Sequence, residues 1–146
     1  MTPPILTIAD AVLATITGAT LSQAVVASRQ YMPSYDLDDT DDLRVSVVPR
    51  EVDILPLDRK SNQYQAKIDV AVQKKFDLAT NGEIDPLVRL TSEIIDLFRM
   101  KRLTTVSAAR CVSVEWPVVY SPEHWDQLRT FTSLVTLTFD LSVAMK

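Results

Sequence analysis

Gln65-Ala-Lys-Ile-Asp-Val-Ala-Val-Gln-Lys-Lys-Phe76 decides the fold. Ala66, Ile68, Val70, Val72 and Phe76 fall on one side of an extended chain, interrupted at Lys74, while Gln65, Lys67, Asp69, Gln73 and Lys75 fall on the other. Alternation at period two marks a strand with one buried face and one face that is wet or partnered. Downstream, 129–143 repeats the pattern: Phe131, Val135, Leu137, Phe139, Leu141 and Val143 share a face, and Thr130, Thr132, Thr136, Thr138, Asp140 and Ser142 oppose them, with Leu134 the exception. Upstream, Leu43, Val45 and Val47 alternate with Arg44 and Ser46 before Pro49. Further strands are expected over 21–30 and 109–119.

Helical spacing flanks these strands. In 7–18, Ala9, Val12, Leu13 and Ile16 recur at helical intervals. Thr7 stands as N-cap with Asp10 at capping-box spacing, and Gly18 stands where a left-handed terminator would fit. In 86–102, Leu87, Leu90, Ile94, Leu97 and Phe98 form a stripe widened by Val88 and Ile95. Asp85 and Pro86 suit the N-cap and first helical position, and Arg99, Lys101 and Arg102 suit the C-terminal end. Residues 121–127 read as one capped helical turn. The order α-β-β-β-α-β-β predicts an α+β two-layer sandwich: a mixed, mostly antiparallel sheet of about five strands with two helices on one face. One domain spans 1–146, with extended loops at 31–42 and 50–63.

A length argument sets the last strand apart. A compact chain of this size is about 40 Å across, whereas fifteen extended residues span about 50 Å. Either the strand bends near Ser133 or one end projects beyond the globule.

Composition excludes much chemistry. The 146 residues hold two glycines, one cysteine and one histidine, with a net charge of −4. Phosphate-cradling loops need several glycines, and no nucleophile elbow or zinc-binding pair of residues is present. No signal peptide and no membrane-length apolar run is read, and no cofactor is expected. The acidic balance argues against a free-standing nucleic-acid binder.

Candidate sites remain. Asp36-Leu-Asp-Asp-Thr-Asp-Asp42 has the alternation of a calcium loop, but Asp41 stands where glycine is required and Val47 where a bidentate glutamate is required. The reading is a solvated loop, or one that pairs with a partner's basic residues. Asp58-Arg59-Lys60 has the spacing of metal-dependent nucleases without an identifiable second acid. Cys111, on a strand, reads as a small buried residue. Trp125 reads either as core or as an interface anchor. Charge is segregated between the aspartates (Asp36, Asp38, Asp39, Asp41, Asp42) and the basic Arg50, Arg59 and Lys60, a pattern suited to pairing between subunits.

Taken in sequence, Tyr31-Met-Pro, the acidic link, Leu43-Arg-Val-Ser-Val-Val-Pro49, Ile68-Asp-Val-Ala-Val-Gln-Lys-Lys75, Tyr120-Ser-Pro-Glu and Leu128-Arg-Thr-Phe131 with its threonine-rich strand resemble small tailed-bacteriophage proteins of the head–tail joining region, above all tail terminators. The likeness runs over roughly 7–143. It implies a virion protein assembled in the host cytoplasm: a homohexameric ring that caps the tail tube, docks on a connector or stopper, and lets genomic DNA pass without binding it specifically. The resemblance carries over no catalytic residue. Arg129, within the quoted motif, joins the interface or lumen candidates. The alternatives are an adaptor, stopper or tube subunit and, in another class, a small nuclease using Asp58 and Lys60.

Overall fold

The computed structural model describes residues 3–31, 43–78, 80–103 and 109–144. The elements are α1 (Pro4–Gly18), β1 (Val26–Arg29), β2 (Arg44–Pro56), β3 (Ser61–Lys75), α2 (Asn81–Phe98), β4 (Arg110–Val118), α3 (Pro122–Leu128) and β5 (Thr130–Ala144). The strands form one sheet in the order β1-β2-β3-β5-β4. Only β1 and β2 are parallel; the other three pairings are antiparallel. The fold is the expected α+β arrangement of a mixed five-stranded sheet and two principal helices, with α3 in place of the expected single helical turn.

The central pairing matches the opening motif to its echo. β3 and β5 pair without a break from Ser61↔Ala144 to Lys75↔Thr130, which sets Ala66, Ile68 and Val70 opposite Phe139, Leu137 and Val135. Val45 and Val47 of β2 continue the same face. Ile8, Val12 and Ile16 of α1 and Leu87, Leu90, Ile94 and Phe98 of α2 join that face in one apolar cluster, so both helices lie on one side. Phe98 meets Phe139 edge to face, with ring centroids 6.3 Å apart. Each fully buried Leu, Ile or Phe in this layer contributes about 1.5–3 kcal/mol of burial. The register runs straight through Ser133, so the long strand does not slip there. Ser133 instead accepts a hydrogen bond from Trp116 Nε1 (2.7 Å) and donates to the Val118 carbonyl (3.1 Å).

The element ends differ from the expectations for local reasons. α1 starts at Pro4, whose missing N–H costs nothing at a helix start, so Thr7 lies inside the helix rather than capping it. Gly18 is not a left-handed terminator: the residue after it, Ala19, is extended, and no described glycine has positive φ. α2 starts five residues before Pro86. Thr80 precedes it, and the carboxylate of Glu83 accepts the Asp77 and Leu78 amides (2.7 and 3.0 Å), pinning the incoming chain at the positive end of the helix dipole. Pro86 lies inside the helix, where it gives up the bond that an N–H would make to the Gly82 carbonyl, and the turn before it is held by the Glu83 and Ile84 amides on the Thr80 carbonyl. The helix ends at Phe98, so Arg99, Lys101 and Arg102 follow it rather than occupying its last turn. Met100 takes the left-handed conformation (φ 58°), a role that glycine usually fills. β1 is four residues long instead of ten.

Pro49 does not end β2. β1 reaches only to Val47, so Pro49 needs no outer ladder partner, and a register shift between Pro49 and Glu51 absorbs the irregularity. The excursion expected over 50–63 is therefore mostly a continuation of β2, a tight turn, and the start of β3.

The sheet face opposite the helices is not simply wet. Ser46, Asp69, Gln73, Thr132 and Thr136 all lie buried on it. Thr136 donates its hydroxyl to Asp69 (2.8 Å), and Arg50 reaches over the same carboxylate (3.6 Å). The Thr136–Asp69 pair is thus satisfied at the sheet centre, as buried polar atoms require, whereas the buried Nε2 of Gln73 on the same face has no hydrogen-bond partner among the described residues.

Candidate assembly surfaces

The first surface follows from the overlong strands. The last residues of β2, the first of β3 and the last of β5 form a three-stranded arm. Ile54 pairs with Tyr64, Leu55 with Gln63, and Tyr64 with Leu141. Ile54 lies on the same side as the helices and Leu55 on the other, because neighbouring strand residues point to opposite faces. Yet Ile54, Leu55 and Leu57 are 54%, 50% and 54% exposed. The arm therefore carries an exposed apolar side chain on each face of its β2 strand, while its β3 side chains are half-buried. Its edges are also open among the described strands. β1 leaves β2 at Val47, and the register of β4 with β5 reaches only to Asp140. Pro49 and Pro56 stand on the β2 edge, where they obstruct indiscriminate strand addition.

The turn at the arm tip is built by Asp58. Its Oδ1 accepts the backbone amides of Lys60 (2.7 Å) and Ser61 (2.8 Å), while the Ser61 carbonyl accepts from the amides of Leu57 and Asp58. These bonds, the Lys60 amide first, hold the Asp58 carboxyl below its ordinary pKa. Arg59 and Lys60 stand exposed at the tip. The nuclease spacing noted at Asp58-Arg59-Lys60 is thus a self-capped turn whose acid already holds two amide donors. Among the described residues, no group of three or more His, Cys, Asp or Glu side chains is arranged to hold a metal ion.

The second surface lies at the other end of the same strands. Trp125 of α3 is half-buried, with its ring 4.5 Å from Phe76 and 5.4 Å from Tyr120. Arg129 also has positive φ (49°). Its guanidinium lies 5.8 Å from the Phe76 ring centroid and donates to the Asp77 carbonyl, while its own carbonyl accepts from the Phe76 amide (2.9 Å). Between α2 and α3 a groove of about 530 Å³ is lined mainly by Ile84, Val88, Tyr120, Pro122, Trp125 and Phe131, with Asp126 at its margin.

The predicted site residues therefore separate. Trp125 and Arg129 meet around Phe76. Arg59 and Lys60 occupy the arm tip, about 50 Å away along β3. Arg50 stands at the root of the arm, within 3.6 Å of Asp69 and 3.8 Å of Glu51, and Lys67 approaches Glu51 from β3 (3.6 Å). Asp36, Asp38, Asp39, Asp41 and Asp42 lie outside the described residues. Cys111 is buried, and burial pushes its thiol pKa up, against nucleophilic use.

Sequence reasoning missed Leu55, Leu57 and Tyr120 as surface features. Their one available signal was apolar residues inside stretches otherwise read as polar connections. No helix among the described residues is long and apolar enough to cross a membrane. Compared with known proteins, the chain matches no family model and no curated protein.

Proposed function

We propose that the chain is a structural, ring-forming protein of the tailed-phage neck, acting as a tail terminator. In this reading copies of the chain join into a ring, expected to be a hexamer. The ring ends tail-tube growth, engages the connector or stopper, and leaves a passage for DNA. The observation that carries the reading is the projecting arm. A monomer gains nothing from carrying three exposed apolar side chains on both faces of an overlong ribbon, whereas an assembling subunit covers them in its neighbours. The self-capped Asp58 turn, whose carboxylate holds the Lys60 and Ser61 amides, and the buried Cys111 fit the same role. The acidic net charge suits a channel wall to which the phosphate backbone does not adhere.

The deciding experiment adds the purified chain to tail-tube subunits that polymerise without a length limit. Short, capped tubes with density at one end are the expected result under the electron microscope. Unaltered tube length with no end-bound protein would refute the terminator role. Growth of tubes from this chain alone would assign it instead as a tube subunit.

A further inference from the structure

We infer that the arm of one copy docks in the α2/α3 groove of the next copy, so that the chain associates head to tail. The inference rests on the self-assembly part of the proposed function and names the surfaces that carry it. Both halves of the contact lie on one molecule but at opposite ends of β3 and β5. The arm tip begins at Ser61, and the groove is lined by Phe131 and by Trp125, whose ring packs on Phe76. About 50 Å of continuously paired strand separates them, and no described residue of the arm lines the groove of its own molecule.

The chemistry of the two halves is complementary. Leu55 and Leu57, next to the turn, present an apolar knob, with Ile54 exposed on the opposite face of the arm. Val88, Ile84, Trp125 and Tyr120 present an apolar, aromatic cleft, with Tyr120 itself 51% exposed. Charge matches at the rim: Arg59 and Lys60 stand exposed at the tip, where the Asp58 carboxylate is turned onto the Lys60 and Ser61 amides and Asp53 lies farther down the arm opposite Gln65, while exposed Asp126 and Glu123 flank the cleft. Opposite charges at a rim steer encounter and fix orientation. The occupant chosen is therefore a second copy of this chain. Because donor and acceptor patches differ, the contact is heterologous, and such contacts close into rings when the rotation between subunits allows it.

The test uses the full-length chain, with light scattering on a size-exclusion column to give mass. One variant disables the knob (Leu55→Asp with Leu57→Asp), and one disables the groove (Val88→Glu). A third, Asp126→Lys, alters only the rim and leaves the apolar lining whole. Circular dichroism establishes that each is folded; should Val88→Glu fail to fold, Tyr120→Asp replaces it. Wild type is expected to form a closed oligomer. The knob and groove variants are each expected as monomers, and Asp126→Lys is expected to weaken association about tenfold. Mixed together, the knob and groove variants are expected to give a dimer and nothing larger, because each retains one working half. A wild type that stays monomeric at high concentration, variants that keep the wild-type mass, or a mixture that yields no dimer would each overturn the inference. Variants that keep the wild-type mass yet fail to cap tubes would show that the arm or groove is occupied by the tube protein instead. Tube capping by wild type is read separately, so the ring reading can survive when the docking contact does not.

Discussion

β3 and β5 run through two environments, and the contrast between them explains most of the molecule. From Ala66 to Phe76 and from Phe131 to Phe139 the two strands lie under α1, α2 and α3, and their inward side chains are almost fully buried. From Ser61 to Gln65 and from Asp140 onward the same ladder continues with the same register, but the β3 side chains are only half-buried and those of β2 beside them, from Asp53 to Pro56, are exposed. Alternation continues in the arm; only its cover is missing. A strand pattern therefore states which side chains share a face, and the neighbouring layer decides whether that face is core or interface.

The largest test of the contrast is to truncate one residue on each side of it. Phe139→Ala removes a ring that is fully buried and set against Phe98, and is expected to cost about 3–5 kcal/mol in denaturant unfolding. Leu55→Ala, on the arm, should leave the stability of the isolated subunit within about 0.5 kcal/mol. Comparable losses at the two positions would mean that the arm is part of the subunit core, and the division would fail.

Asp69 tests the frontier between the two regions, where Arg50 at the root of the arm leans over the buried polar face. Asp69→Ala leaves the buried Thr136 hydroxyl without its acceptor and is expected to cost about 1–3 kcal/mol. Asp69→Asn keeps an acceptor for Thr136 and loses only the charge facing a half-exposed Arg50, so urea midpoints should place it much nearer wild type. Equal losses for the two variants would show that the Arg50 pairing, not the Thr136 bond, holds the frontier.

The smallest effect belongs to the arm tip and should be local. Asp58 has its pKa lowered first by the Lys60 amide and then by the side chain and amide of Ser61. A carboxylate depressed in the folded state stabilises above its unfolded pKa, and the contribution is lost as pH falls through the folded value. Hydrogen exchange at the Lys60 and Ser61 amides should therefore show protection at neutral pH, corrected for intrinsic rates, that disappears under acid conditions. Asp58→Ala should remove it at every pH without moving the global unfolding midpoint. A change in that midpoint would tie the tip to the body more tightly than the contrast allows.

Particular residues show how far the sequence could be read. The alternation of 65–76 and 129–143, the stripe Leu87–Leu90–Ile94–Phe98 and the burial of Cys111 were all legible, because each depends on a period or a size that neighbouring residues display by themselves. Pro49 and Pro86 misled. Each is a plausible boundary by local rules, but Pro49 lies where β1 has already ended, and Pro86 follows a start anchored by Glu83 to Asp77 and Leu78. Trp125 and Arg129 were named singly from the chain. That they converge on Phe76, about 50 residues away in sequence, depends on the antiparallel closure of β3 on β5.

By itself, then, the sequence determined the class of fold, the composition of the apolar face and the scarcity of glycine, cysteine and histidine, since these follow from residue type and spacing. Tertiary structure alone decided that 50–63 is an arm rather than a loop, and that a knob and a groove stand at opposite ends of one ribbon. It also decided that the polar face of the sheet is buried at its centre. Those facts depend on which layer covers which stretch and on where strands stop relative to their neighbours, quantities set by contacts between residues distant in the chain.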